Sequence, residues 1–199
     1  MYKKLWLLVS TLVVSSTLFA QVVPTVEGNR SGSMWVGAEI STFNPDYGCI
    51  NSSPFSCWNH QLLGIAPYVD TRTLFSPRVR MEAQARFLHW RGPGFLTESS
   101  YLAGPTFRLL QYRQLALSGK LMVGKAKLTV AKPAAGSGSY LAYAPGAMVD
   151  YKVARRMYLR VDYENQFWPS FKGVRTHTTD GTGALTPTGL SVGLSYAVR

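Results

Sequence analysis

Several features that are common in soluble proteins are scarce in this 199-residue chain. Charged residues make up only 16% of it, and there are just two cysteines and three histidines. Beyond residue 20, no apolar run approaches the ~20 residues that a membrane-spanning helix needs. The low charge, beside 46% hydrophobic and 13% aromatic residues, excludes intrinsic disorder, a coiled coil and a charge-rich helical bundle. A single glycine- and aromatic-rich all-β domain is favoured instead.

Residues 1–20 have the order of a secretory signal peptide. Two lysines precede an apolar run over 5–14, and small or polar residues follow up to Ala20. We predict cleavage after Ala20, a flexible segment over 21–32 and a β-barrel domain over 33–199. A retained N-terminal membrane anchor is the alternative interpretation.

Cys49 and Cys57 lie in a segment without hydrophobic periodicity, which indicates a loop. In an exported protein such a pair is expected to form a disulfide, which would stabilise the loop by about 2 to 3 kcal/mol. A metal site is the alternative, but His60 is the only further ligand nearby and the spacing is wrong for zinc. We therefore predict a Cys49–Cys57 disulfide and no metal.

Most of the remaining chain alternates between apolar and polar residues, the pattern typical of half-buried strands. In the clearest example, Met157, Leu159 and Val161 share one face and Tyr158, Arg160 and Asp162 share the other. The pattern predicts eight strands, at residues 34–43, 62–72, 78–90, 99–109, 115–128, 140–152, 156–167 and 188–198.

The connections between these strands alternate in length. Those after the first, third, fifth and seventh strands are long, at 44–61, 91–98, 129–139 and 168–187. The others have about five residues or fewer, an expectation that follows from the predicted strand bounds. An even number of strands, with tight turns at one end and longer loops at the other, predicts a closed, antiparallel, up-and-down transmembrane β-barrel.

The row of residues opposite the apolar row carries charges of both signs. These are Glu39, Asp70, Arg72, Arg80, Glu82, Arg86, Arg108, Lys120, Asp150, Lys152, Arg160, Asp162 and Glu164. Such a row cannot fill an apolar core, so we predict that the apolar row faces lipid and that the charges pair in the lumen. The alternative is a soluble periplasmic barrel with the opposite polarity, which would carry an apolar ligand. Alanines of the apolar row, such as Ala83 and Ala103, would leave that core underfilled.

Three prolines, Pro67, Pro105 and Pro145, lie inside the second, fourth and sixth predicted strands. Proline cannot donate to a strand ladder, and a closed barrel has no free edge to accommodate it. Their spacing of 38 and 40 residues indicates a weak repeat that places one proline at a similar depth in each of these strands. We expect a bulge or a local break in the ladder at each of the three.

The chain resembles the eight-stranded outer-membrane β-barrels of the OmpA- and OmpX-like group. The likeness rests on the run from Trp35 to Glu39, the Gly104–Pro105 pair, the Asp162–Glu164 run and the closing strand from Gly189 to Val198. It implies insertion by the barrel-assembly machinery into the outer membrane of a Gram-negative-type cell. Members typically end in an aromatic residue, whereas here the nearest aromatic residue to the end is Tyr196.

Histidine is the scarce component for any hydrolase or acyltransferase chemistry. Of the three, His60 and His177 lie in predicted loops, and His89 lies at the outer end of the third strand. Glu98, Ser99 and Ser100 begin the next strand nearby, so a lipid-modifying barrel enzyme is the alternative function.

We predict no enzymatic activity and no cofactor. Eight strands leave a lumen that side chains fill, so the charges form a plug and the long loops carry a structural or surface-interaction role. Basic loop residues such as Lys125, Lys127 and Lys172 are expected to attract lipopolysaccharide or to keep the loops solvated. Export argues against a nucleic-acid partner despite the net charge of +11, and the barrel is expected to be a monomer.

Overall fold

The computed structural model describes residues 34–46, 61–72, 78–89, 96–130, 137–171 and 184–198. Its eight strands are β1 (Met34–Asn44), β2 (Leu62–Arg72), β3 (Val79–His89), β4 (Leu96–Tyr112), β5 (Leu115–Val130), β6 (Gly138–Lys152), β7 (Met157–Asn165) and β8 (Thr188–Val198). Each strand pairs antiparallel with the next, and β8 returns to pair with β1, so the sheet closes. The predicted fold class, a closed eight-stranded up-and-down transmembrane β-barrel, is confirmed. No helix in these ranges is long and apolar enough to cross a membrane.

Strand β4 differs most from its prediction, since it covers Leu96–Tyr112 rather than 99–109. Near its end the pairing with β5 shifts register between Arg108 and Leu110. Both Leu109 and Leu110 are exposed as a result. Two consecutive outward leucines interrupt the alternation on which the sequence prediction depends, and this explains why it stopped short.

The connections form two ends of the barrel. Those after β1, β3, β5 and β7 lie at one end, which we call the loop end, and those after β2, β4 and β6 lie at the turn end. Residues 45–61 and 166–187 connect strands at the loop end over long stretches. The connection 90–95, however, has six residues, no more than 73–78 at the turn end. The predicted strict alternation of long and short connections is wrong here, because residues 96–98 belong to β4.

The outer wall of the barrel is apolar. Its exposed side chains include Val36, Ile40, Leu63, Ile65, Met81, Leu121, Val123, Met157, Leu159, Val161, Leu190, Val192 and Leu194. The charged row faces the opposite way and is buried inside. This polarity is the one that hydrocarbon requires, because a lipid-facing charge is destabilising while a lumenal one can be paired. A soluble barrel with an apolar interior and a charged exterior is therefore excluded.

Aromatic residues on the outer wall lie towards both ends of the strands. On β6, Tyr143 and Tyr151 both point outward, eight residues apart. At the rise and tilt of barrel strands this separates them by about 20 Å along the membrane normal, close to the height of an outer-membrane apolar band. Near the loop end, Phe87 of β3 packs edge-on against Tyr101 of β4, with ring centroids 5.8 Å apart.

The three mid-strand prolines interrupt the ladder on one side only. Each pairs with the preceding strand, as Pro67 does with Ala38, Pro105 with Met81 and Pro145 with Leu121. Pairs with the following strand are missing at each proline, yet the register is the same on both sides of the gap. The predicted local break is present and the predicted bulge is not, since a missing N–H removes one bond without adding a residue.

Candidate functional site: the lumen

The structure places most of the charged row inside the barrel. Ten of these side chains are almost completely buried, namely Glu39, Asp70, Arg80, Glu82, Arg86, Lys120, Asp150, Arg160, Asp162 and Glu164. Arg108 and Lys152 lie instead at the turn end and are only half-buried, and Arg108 Nη1 donates to Gln111 Oε1 at 2.9 Å. The side chain of Arg72 lies outside the described part of the structure.

Arg160 on β7 is the centre of the first ionic cluster. Its Nε donates to Asp150 Oδ1 at 2.8 Å and its Nη1 to Glu82 Oε2 at 2.8 Å. Its Nη2 donates to Asp70 Oδ2 at 3.3 Å, and its guanidinium lies 4.2 Å from the ring centroid of Tyr68. Three carboxylates from three strands and one aromatic face thus surround a single arginine, an arrangement that only a planar, multi-donor cation can serve.

A second cluster lies nearer the loop end, around Glu164 of β7. Arg86 of β3 binds both of its oxygens, with Nη1 at 2.6 Å from Oε1 and Nη2 at 3.2 Å from Oε2. Lys120 of β5 donates to Glu164 Oε2 at 2.6 Å and also to Asp162. Because β3 lies opposite β7 in the ring of eight strands, the Arg86–Glu164 pair crosses the full width of the lumen.

Glu98 is a further buried lumenal carboxylate, which the sequence did not predict to face the lumen. Glu98 of β4 is 1% exposed, and within the described residues neither of its carboxylate oxygens has a hydrogen-bond partner. With it, the described lumen holds seven buried carboxylates and four buried basic side chains. Its inward position could have been found from the alternation Glu98, Ser100, Leu102, had β4 been extended towards its N-terminus.

The loop end of the lumen is apolar rather than ionic. We call its buried side chains the apolar layer: Phe43, Leu62, Leu88, Leu96, Leu128, Tyr140, Trp168, Phe171 and Leu185. The expectation of a lumen filled by charge alone is therefore incomplete. Near the loop end both faces of the strands are apolar, as in the pairs Leu62–Leu63 and Tyr140–Leu141, so polar alternation gives no signal there.

Residues 166–168 continue the line of β7 in the barrel wall, and the inward side chains of Gln166 and Trp168 join the ionic cluster to the apolar layer. Trp168 pairs with Leu185 across an isolated bridge and stacks on Tyr140, with ring centroids 5.9 Å apart. Its Nε1 donates to Gln166 Oε1 at 2.8 Å, and Gln166 Nε2 donates to Glu164 Oε1 at 2.8 Å. This chain of hydrogen bonds connects the apolar layer with the ionic cluster.

Glycine creates room for one of the large rings in the lumen. A Cβ added to Gly37 of β1 would lie 2.4 Å from the ring of Tyr68 on β2. The Tyr68 ring occupies this space and lies over the Arg160 guanidinium. Gly37 therefore acts through packing, since any side chain there would push the ring away from the arginine.

The wall of the barrel separates His89 from Glu98 and Ser100, two of the residues of the alternative enzymatic interpretation. His89 is exposed on the outer face, whereas Glu98 and Ser100 point into the lumen. A histidine and a carboxylate on opposite faces of one sheet cannot share a proton with the same nucleophile. Ser99, in contrast, lies on the same outer face as His89, two residues along β4 from Thr97, which pairs with His89. The carboxylate that the enzymatic interpretation needs is therefore on the other side of the wall from the histidine and from Ser99. Among the described residues, no group of three or more His, Cys, Asp or Glu side chains is arranged to hold a metal ion.

Several predictions fall on residues outside the described ranges. These are the signal peptide, the segment 21–32, the Cys49–Cys57 disulfide and the loop residue Lys172. Lys125 and Lys127, which the sequence analysis treated as loop residues, lie on β5 with exposed side chains on the outer wall.

Solved structures with a similar fold are outer-membrane proteins. Neisserial surface protein A superposes with a TM-score of 0.57 at 10% identity, covering 83% of this chain and 96% of that one. Ail, the attachment invasion locus protein of Yersinia pestis, matches at a TM-score of 0.45 and 19% identity, over 83% of this chain and 96% of Ail. OprG of Pseudomonas aeruginosa matches at a TM-score of 0.48 and 10% identity, over 83% of this chain and 95% of OprG. No family model and no curated protein matches the chain.

The chain therefore has the fold of the eight-stranded outer-membrane β-barrels. Closed topology, an apolar outer wall and a charged interior define this class, and Neisserial surface protein A shares its architecture. The resemblance inferred from the sequence is confirmed at the level of the fold.

Proposed function

We propose that the protein is an integral outer-membrane barrel that is closed to solutes and acts as a rigid platform for its surface loops. The observation that carries this proposal is the blocked lumen. The Arg86–Glu164 and Arg160–Glu82 pairs join opposite strands across its width, and Trp168 is buried in the apolar layer towards the loop end. A barrel of eight strands leaves no further room for a channel once such side chains fill it.

Recording from planar bilayers tests the closed lumen. We expect the purified barrel to give no steady conductance under conditions in which a general porin does. As a matched variant, Trp168→Ala removes a ring of the apolar layer but leaves both cross-barrel ion pairs, so it should stay closed as well. A steady open-channel current from the unsubstituted protein would contradict the proposal.

We also propose that the outer wall contacts lipopolysaccharide through Lys125 and Lys127. Lys125 lies directly opposite Tyr101 in the β4–β5 pairing, and Lys127 lies two residues closer to the loop end. Both side chains are exposed and point outward, at the level where an aromatic band meets the membrane surface. Each lysine near an anionic membrane surface contributes about 1 kcal/mol of attraction.

Reconstitution into vesicles with and without lipopolysaccharide tests this contact. We expect lipopolysaccharide to raise the thermal stability of the unsubstituted barrel, and the Lys125→Gln/Lys127→Gln variant to lose most of that increase. Arg156→Gln, which removes a cation at the turn end, is the control and should keep it. Equal increases in all three proteins would refute the role of the two lysines.

A further inference from the structure

The turn end of the barrel carries a recess that none of the functions above uses. It has a volume of about 350 Å³ and lies between the β4–β5 and β6–β7 turns. Its polar lining consists of Arg113, Lys152, Arg155, Gln111, Gln114 and Tyr158, and no carboxylate lines it. Three cations around one small concave space form a strongly positive site in a barrel whose described lumen has an excess of carboxylates.

The cations of the recess are not neutralised by the lumenal acids. The nearest one along the same strand, Asp150, is held by Arg160 Nε at 2.8 Å and lies 3.6 Å from Arg80 Nη2. Within the described residues, Arg113, Lys152 and Arg155 form no ion pair. No described carboxylate therefore compensates the charges of these three side chains.

Arg113 occupies a position that does not suit its residue type. It is in the left-handed region, with φ of 51°, in the two-residue turn between β4 and β5. Glycine and asparagine favour this conformation in tight hairpins, and a long side chain there is strained. The guanidinium lies 5.3 Å from the ring centroid of Tyr112, which limits its motion. Strained residues of this kind are found preferentially where the side chain has a function.

The surrounding bonds hold the other groups in place. Lys152 N donates to Gln114 O at 2.8 Å and thereby ties the β6 end to the β4–β5 turn. Arg108 Nη1 donates to Gln111 Oε1, so the amide oxygen is engaged and the Gln111 Nε2 group remains as a donor. The two amides and three cations among the lining residues provide hydrogen-bond donors, the chemistry that binds tetrahedral oxyanions.

We propose that this recess binds a phosphate group. The same chemistry fits a phosphate carried by an anionic lipid headgroup at the membrane surface and one carried by a soluble molecule at the turn end. The proposal does not depend on whether the lumen is closed or on whether lipopolysaccharide binds the outer wall, so its test is independent of those two tests.

Two binding measurements on the full barrel in zwitterionic micelles distinguish the sources. The soluble arm titrates sodium pyrophosphate by calorimetry. The lipid arm uses native mass spectrometry to compare retained phosphatidylglycerol with retained phosphatidylcholine. We expect saturable binding in at least one arm, weakened by salt. Saturable binding of pyrophosphate indicates a soluble ligand. Selective retention of phosphatidylglycerol without pyrophosphate binding indicates a lipid headgroup.

Substitutions then assign the binding to the recess. Lys152→Gln and Arg155→Gln should each weaken it about tenfold, the loss expected for one charge-assisted hydrogen bond. Arg113→Gly should do the same while keeping the turn, because glycine accepts the positive φ. Arg156→Gln removes a neighbouring cation that does not line the recess and should leave binding unchanged. No saturable binding in either arm, or equal losses in Arg156→Gln and the recess variants, would overturn the proposal.

Discussion

Two regions of the described lumen are filled by different kinds of contact. Around Arg160 and Glu164, opposite charges from non-adjacent strands pair with one another across the barrel. Towards the loop end, the apolar layer fills the same cross-section with leucines and aromatic rings. The ion pairs thus lie at mid-depth in the barrel, and the apolar packing lies nearer the loop end.

This difference predicts that truncation destabilises the two regions for different reasons. A buried ion pair that loses one partner leaves an uncompensated charge, whereas a buried leucine that is truncated leaves a cavity. The ionic part should therefore be sensitive to the chemical identity of each residue. The apolar layer should depend on volume and tolerate exchange between side chains of similar size.

Removal of the Arg160 side chain is expected to have the largest effect. Arg160→Ala leaves Asp150, Glu82 and Asp70 without the cation that they share, and should lower the free energy of unfolding by about 3 to 5 kcal/mol. Urea unfolding of the barrel in lipid vesicles measures the loss. Arg156→Ala, whose arginine donates to Tyr196 on the exposed side, is the control and should cost less than about 0.5 kcal/mol. A loss in Arg160→Ala no greater than in this control would show that the cluster adds nothing to stability.

Truncation in the apolar layer should cost less and depend on volume. Leu128→Ala removes a completely buried side chain and should lower the free energy of unfolding by about 3 kcal/mol. Leu128→Met, which conserves the volume, should cost less than about 1.5 kcal/mol in the same assay. If Leu128→Met lowered the free energy of unfolding as much as Leu128→Ala does, the stability of the apolar layer would depend on side-chain shape rather than on volume.

The sequence was most informative where the two faces of a strand differ in polarity. Strand β8 has the bounds that alternation predicts, 188–198, because Ser191, Gly193 and Ser195 alternate there with aliphatic residues. The apolar layer could not be predicted in this way, since its strands are apolar on both faces. The contacts of Arg160 with three strands depend on barrel closure and register, which no local pattern encodes.

The boundary between the two regions is sharpest at Glu98, where a carboxyl group with no hydrogen-bond partner among the described residues adjoins the apolar layer. On β4 it faces inward beside the layer residue Leu96, and Leu128 lies opposite it in the β4–β5 pairing. Glu98→Met replaces an unsatisfied polar group by an apolar one of similar size, so it should raise the free energy of unfolding by about 1 kcal/mol.

The matched substitution Glu164→Met tests whether position rather than residue type decides this effect. Glu164 accepts hydrogen bonds from Arg86, Lys120 and Gln166, and its loss should destabilise the barrel because two cations lose their shared partner. The same chemical change is thus expected to have opposite signs in the two regions. A destabilisation of similar size at both positions would mean that the Glu98 carboxyl is satisfied in the folded barrel, and that the ionic part of the lumen extends further towards the loop end than its hydrogen bonds indicate.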